Sequence, residues 1–456
     1  MNGMFDTAVN AFRVESIRKR LLFTFFILGL YMVGGFAPVP GIDGKVFSDT
    51  VRQYGQLAGL MDIVSGGNLL HATIFALGVS PYINASIIIQ LLQVVIPKLE
   101  DLSKEGESGR KVITKITRYS AIGLAFLQSC MFCYVTRSAL VSTLPKWLNA
   151  GLVVMTFTVG SAIVVWLGER INDKGIGNGI SLLIFAGIVI RLPDMATTLY
   201  QKASEVSSYF DNAVVGTLVG ILLFAGVAAI SVGIIIFVIF IQNSERRLTV
   251  QYAKKVIGRN QRGGNKDYIP LKVNQSGVMP VIFAMSILAM PGVIINLFFQ
   301  SSTNEVVQWL KDSFNGQNTG SINGTIVYYV VYFVLIILFT FFYSAIQFHP
   351  IEIANNINKN GGTIAGIRSG KPTSDYIAAV ASRLNWLDAG FLTLVCIVPT
   401  VIGLLTGLEN VWFAGTSVLI LTGVANDLIV KVEGELEVRS PKGFLDDVKV
   451  LKGSRR

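Results

Sequence analysis

Residues able to perform catalysis are scarce in this chain of 456 residues, which holds two histidines, His71 and His349, and three cysteines. Cys130-Met131-Phe132-Cys133 has the spacing of a dithiol redox motif, but it stands inside an apolar run where oxidants and aqueous zinc arrive poorly, so two small apolar residues are the simpler reading. Gly175-Ile176-Gly177-Asn178-Gly179 suggests a phosphate loop, yet no strand precedes it and its spacing is not that of a dinucleotide site; a glycine-rich start to a helix suffices. No histidine pair, acid pair or nucleophile cluster lies at depth in the apolar runs, so neither enzymatic activity nor a metal or cofactor is expected. The chemistry on offer is electrostatic. Residues 242–275 carry Arg246, Arg247, Lys254, Lys255, Arg259, Arg262, Lys266 and Lys272 against Glu245 and Asp267. Such a projection attracts anionic lipid, nucleic-acid phosphate or an acidic protein surface, although a basic loop set only by membrane topology has the same charges. A second long loop, 348–385, contains the basic turn Ile367-Arg368-Ser369-Gly370-Lys371-Pro372-Thr373. Together the two loops suggest a docking surface for something cytosolic.

The elements that carry these loops are apolar. The chain is 52% hydrophobic and 14% charged, with a mean hydropathy of +0.58, whereas soluble domains are about a quarter charged. About 20 apolar residues make a helix long enough to cross a bilayer, and ten such runs are marked, near 21–37, 72–96, 117–136, 150–168, 176–191, 214–241, 276–299, 326–347, 386–406 and 411–430. The fifth is short and would need tilt or local thinning to span. The great majority of the 38 Lys and Arg fall in alternate segments, the two tails among them, which places both termini in the cytoplasm. Five runs precede an external loop at 192–213 and five follow it, so the second half enters with opposite orientation and an inverted repeat is expected. Pro81, Pro280, Pro291 and Pro399 interrupt the second, seventh and ninth runs, either as ordinary kinks or as breaks beside a substrate path. Ahead of the first run Phe5, Val9, Phe12 and Ile17 recur at helical spacing, which fits an interfacial helix as well as a soluble tail.

The expected fold is therefore an all-α polytopic membrane protein of ten transmembrane helices in two inverted five-helix halves, 21–191 and 214–430, with cytoplasmic tails 1–20 and 431–456. Between the first two runs an apolar stretch, 57–64, is far too short to cross and ends at Ser65-Gly66-Gly67. It fits a re-entrant helix on a glycine hinge, or equally a surface helix on the outer leaflet. No charged residue lies near the middle of any run, which weighs against ion-coupled transporters and pumps. Asn84, Ser86 and Gln90 in the second run, Gln128 in the third and Thr158 in the fourth are polar, and interhelical hydrogen bonding accounts for them.

Longer motifs carry a resemblance. Phe75-Ala76-Leu77-Gly78-Val79-Ser80-Pro81-Tyr82-Ile83-Asn84-Ala85-Ser86-Ile87-Ile88-Ile89-Gln90, Lys104-Glu105-Gly106-Glu107-Ser108-Gly109-Arg110, Trp166-Leu167-Gly168-Glu169-Arg170-Ile171, Gly175 to Ser181, Pro270-Leu271-Lys272-Val273-Asn274 and Gly415-Thr416-Ser417 are similar to those of the SecY family of bacterial protein-translocation channels. The resemblance covers essentially the whole chain. It implies a gated, protein-conducting channel that passes unfolded secretory polypeptides across the bacterial plasma membrane and releases transmembrane segments sideways into lipid. It implies a pore ring at Val79, Ile83, Ile184, Ile282 and Ile420, and a re-entrant plug helix at Gly59-Leu60-Met61-Asp62-Ile63-Val64-Ser65-Gly66-Gly67-Asn68-Leu69-Leu70. It further implies a lateral gate between the second and seventh runs, with Asn84, Ser86, Gln90 and Pro280 at its lining, and docking of cytosolic partners on Arg246, Arg247, Lys254, Lys255, Arg368 and Lys371. The implied partners are the small membrane subunits SecE and SecG, the motor ATPase SecA, the ribosome, signal peptides and phospholipid. Two positions depart from the family pattern, Ala365 and Ser369, where prolines are usual, and they loosen the turn around Arg368. A ten-span solute transporter with an inverted repeat is the alternative, and a membrane scaffold without a conducting path is a third reading.

Overall fold

The structure, a computed structural model, describes residues 12–52, 62, 65–141, 145–193, 196–197, 200–201, 204–205, 213–252, 255–257, 260–262, 266–298, 304–314, 322–406 and 415–439. Most of them are helical. Two compact units are formed, one by residues 1–194 and 424–456 and the other by residues 195–423.

In the first unit, α1 (Glu15–Gly34), α2 (Gly44–Arg52), α3 (Ser80–Val95), α4 (Pro97–Lys104), α5 (Glu107–Val135), α6 (Lys146–Lys174) and α7 (Gly179–Ile190) follow in order. α5 and α6 overrun the apolar runs that predict them because their ends are polar. At 29 residues each they reach about 44 Å, enough to cross the hydrocarbon and stand in the headgroups. α7 has 12 residues, about 18 Å, and is as short as its run foretells. Polar side chains join the helices. The Thr158 hydroxyl donates to Ser129 Oγ at 3.1 Å, and Asn149 Nδ2 donates to the carbonyls of Gly41 and Val141, each at 2.9 Å. Ile17 is buried with Leu21, Ile176 and Val432, which ties the start of α1 into the core; Phe5 and Val9 lie outside the described residues.

Two expectations about the second run are corrected. Its helix starts at Ser80, not near residue 72, and residues 65–74 run as successive turns. Pro81 therefore does not interrupt a helix: it sits in the first turn of α3, where a missing N–H costs nothing. At the other end Ile96, extended because Pro97 follows it, breaks the helix, and α4 leaves at an angle of 102°.

The second unit contains α8 (Ala213–Gln242), β1 (Glu245–Tyr252), β2 (Lys255–Ile257), β3 (Asn260–Arg262), β4 (Lys266–Lys272), α9 (Met279–Phe298), α10 (Glu305–Phe314), α11 (Ile322–Gln347), α12 (Pro350–Lys359), β5 (Gly362–Ile364) and α13 (Lys371–Thr406). α14 (Gly415–Arg439) begins in this unit, and from Val424 onward its residues group with the first. Pro280 likewise stands in the first turn of its helix, whereas Pro291 and Pro399 are internal. α8 and α11 leave large apolar side chains outward, Leu222 at 69% and Val334 at 57% exposure among them. An apolar surface of that extent is stable against lipid and not against water. A helix covers each of the ten apolar runs. Four of the described helices meet the length and apolarity of a crossing outright, and a fifth does if α3 and α4 count as one bent span.

The two long loops are not irregular. β1 pairs antiparallel with β4 on one side, Leu248 opposite Ile269, and with β5 on the other, Val250 opposite Ile364. Leu248 and Val250 point inward and alternate with exposed neighbours, the period of a half-buried strand. They pack with Leu271, Ile357, Ile364, Ile377 and Leu384, so both loops, α12 and the start of α13 share one small core.

Candidate functional site

Three of the five residues expected at the pore, Val79, Ile83 and Ile282, belong to a local turn that occurs in both units. Gly78-Val79-Ser80-Pro81-Tyr82-Ile83 and Gly277-Val278-Met279-Pro280-Val281-Ile282 share Gly, Val, Pro and Ile at the same places. Gly78 has φ +51° and Gly277 φ +64°, values that glycine adopts without strain. In the first, the Val79 carbonyl accepts from the N–H groups of Tyr82 and Ile83 at 3.0 and 3.1 Å. In the second, the Val278 carbonyl accepts from Val281 and Ile282 at 3.2 and 3.3 Å. Each turn starts a helix, α3 or α9, and delivers an isoleucine to its first full turn. Val79 and Ile83, four residues apart, lie on one helix face. Val79, Ile83, Ile184 and Ile420 are buried and Ile282 is half-buried. The six-residue repeat was readable in the sequence, as a pattern recurring once per half, and it escaped the reading by runs.

Of the plug segment, Asp62 and Ser65 to Leu70 are described; Gly59, Leu60, Met61, Ile63 and Val64 lie outside the described residues. Gly66 and Gly67 take φ +73° and +86°, left-handed values that glycine adopts without strain. The Ser65 carbonyl accepts from the Tyr31 hydroxyl at 3.0 Å and from Asn68 Nδ2 at 2.5 Å. The Gly66 backbone lies against α7: a Cβ built there would stand 2.7 Å from Gly187 Cα. The Asp62 carboxylate is fully buried; Oδ1 accepts from the Leu70 N–H at 2.9 Å and Oδ2 meets Arg191 Nη1 at 2.6 Å. Tyr31, Gly187 and Arg191 were not among the sequence candidates, since nothing local marks a residue whose partner lies 34 to 129 positions away.

Ser86 and Gln90 share a face of α3, with Gln90 Nε2 donating to Ser86 Oγ at 3.3 Å. Asn84 is two residues from Ser86 and so faces nearly the opposite way, which separates it from the other two. Before α9, the Ser276 hydroxyl donates to Asp388 Oδ2 at 2.6 Å and its N–H to the same oxygen at 3.3 Å, while Gly277 N–H donates to Asn274 Oδ1 at 2.7 Å. Asp388 is fully buried and holds the turn that starts α9.

On the loops Arg246, Arg247, Arg368 and Lys371 are exposed, Lys255 opens β2, and Lys254 lies outside the described residues. Arg247 is held by Glu245 at 2.6 Å and stacks 4.6 Å above the Tyr268 ring; the Glu245 carboxylate pushes its pKa further above the ordinary guanidinium range. The turn around Arg368 is closed by hydrogen bonds on both sides of it. Gly366 and Gly370 have φ +81° and +95°, the Ile367 N–H donates to Ile364 O at 3.0 Å, and the Thr373 hydroxyl donates to Arg368 O at 2.8 Å.

A family model for SecY matches residues 73–429 of this chain. The chain belongs to the SecY family. It is 40% identical over 456 residues to the protein translocase subunit SecY of Streptomyces scabiei, covering 97% of this chain and 100% of that protein. It is 38% identical over 458 residues to that of Mycobacterium tuberculosis H37Rv, with the same coverage. Its fold matches a solved protein-conducting channel with a TM-score of 0.58 at 19% identity, covering 93% of this chain and 95% of the other. A SecY structure in which the plug domain is described as stabilising the closed state matches with a TM-score of 0.62 at 19% identity and the same coverage. The yeast Ssh1 complex bound to the 80S ribosome matches with a TM-score of 0.59 at 15% identity, covering 93% and 91%.

Proposed function

We propose that this chain is the central channel subunit of a Sec translocase, passing unfolded secretory polypeptides across the bacterial plasma membrane and releasing transmembrane segments sideways into lipid. Full-length similarity to SecY translocase subunits carries the reading. Ten membrane crossings in two inverted halves, with both termini in the cytoplasm, are part of it. Val79, Ile83, Ile184, Ile282 and Ile420 form the constriction. A ring of apolar, deformable side chains makes few specific contacts, so it admits any sequence while hindering ions by dewetting. Residues 59–70 act as the plug, and α3 and α9 border the lateral gate, with Ser86, Gln90 and Pro280 along it. Asn84, on the other side of α3, is set apart from that lining. An apolar segment then partitions into lipid because burying about 20 apolar residues is favourable, while a polar one stays in the channel.

Arg246, Arg247, Lys254, Lys255, Arg368 and Lys371 receive cytosolic partners, the ribosome and the motor ATPase SecA, and the small subunits SecE and SecG complete the complex. The shared core beneath β1, β5 and α13 supports this, because it presents both loops as one body. No chemical step belongs to this chain. The reading is tested by reconstituting the chain with SecE and SecG in vesicles, adding SecA, ATP and a precursor, and scoring protease-protected precursor. Protection that depends on the chain is expected; none, with SecA active and the chain inserted, would overturn the reading.

A further inference from the structure

We propose that Arg191, at the end of α7, is a positioning residue that latches the plug segment shut through Asp62. The inference rests on the assignment of residues 59–70 as the plug. Arg191 caps the C-terminal end of α7 and its guanidinium meets the fully buried Asp62 carboxylate at 2.6 Å. Asp62 is also the organiser of its own segment: its second carboxylate oxygen accepts from the Leu70 N–H at 2.9 Å, and its carbonyl accepts from the Gly67 N–H at 2.7 Å and the Ser65 hydroxyl at 3.0 Å. The Arg191 side chain runs along the glycine pair, with Cδ and Nε 3.5 Å from where a Cβ on Gly67 would stand. One carboxylate thus joins the folded state of the segment to its place on α7.

Other anchors of the segment, among them the Tyr31 hydroxyl on Ser65, the Gly66 contact with Gly187 and the packing of buried Leu69, involve no net charge. The ion pair behaves differently from them. Burial of a matched pair adds little net stability, because desolvation offsets the attraction, but removing one partner leaves an uncompensated buried charge. When the segment moves into a hydrated channel, both charges recover water. The pair therefore fixes where the plug sits without making its departure expensive.

The test is resting ion conductance of the reconstituted full complex, normalised to inserted channel, for the parent, Asp62→Asn, Arg191→Met, the double variant, Arg191→Lys and a deletion of residues 59–70. Each single neutralisation is expected to raise conductance about tenfold, and the double variant to fall back to within about threefold of the parent, the signature of a coupled buried pair. Arg191→Lys, which keeps the charge, is expected to stay near the parent. If the deletion raises conductance but the single variants do not, or the double variant multiplies their effects, or Arg191→Lys equals Arg191→Met, the latch is overturned and the plug assignment stands. If the deletion itself leaves conductance unchanged, the plug assignment fails and the latch with it.

Discussion

Gly187→Val is the sharpest perturbation of the seated plug segment. A Cβ at Gly187 would stand 2.9 Å from Gly66 Cα and 3.2 Å from Gly66 N, against about 3.5–4.0 Å for ordinary contact between carbons. Both close atoms are backbone, and Gly66 at φ +73° is tied through Ser65 to Tyr31, so relief requires the segment to move by about 0.6 Å or more. Overpacking of this kind costs about 1–3 kcal/mol. The better helix propensity of valine over glycine returns only a few tenths of that. If the cost falls on the seated state alone, the unseated population rises about 5- to 150-fold. Single-channel recording in planar bilayers reads that change as resting conductance. Gly29, where a Cβ meets nothing within 4 Å, supplies Gly29→Ala as a neutral control. A Gly187→Val channel that inserts normally and leaks no more than the control would refute the packing argument.

Three further outcomes are expected. Ser276→Ala removes the 2.6 Å hydrogen bond to buried Asp388 and should destabilise the second unit by about 1.5–3 kcal/mol, seen as a lower thermal midpoint in detergent. Arg368→Glu reverses an exposed charge that supports no hydrogen bond through its guanidinium among those described, so export in cells should fall while the amount of inserted protein stays constant. Ile83→Asn places an amide where the repeated turn delivers an isoleucine, and ion conductance through an open channel should rise, because a polar constriction no longer dewets.

The helices were legible because an apolar run of sufficient length has few other solutions, and every run received one. What the runs could not locate is where each helix begins. That is decided by Gly78 and Gly277 and the prolines three residues later, local features that a hydropathy window averages away. The loops were read by charge, and their strands were overlooked although Leu248 and Val250 alternate with polar neighbours in the strand period. Asp62 and Asp388 show the limit most plainly. Each is a single acid whose meaning depends on a partner more than a hundred residues distant, Arg191 or Ser276, and no local pattern marks such a pair. Arg191 stands at the last position of the fifth run, where it caps α7, and its guanidinium meets Asp62.

Ile83 and Ile282 hold equivalent places in the repeated turn, and under the proposed function each lines the path of a translocating polypeptide. Photocrosslinkers placed at Ile83 or Ile282, one at a time, are tested against a radiolabelled secretory chain stalled halfway through translocation, with Phe126, an exposed apolar position on α5, as the control. Adducts from both isoleucine positions and none from Phe126 are predicted. An engaged chain that gives adducts from neither isoleucine would contradict a polypeptide path along these residues.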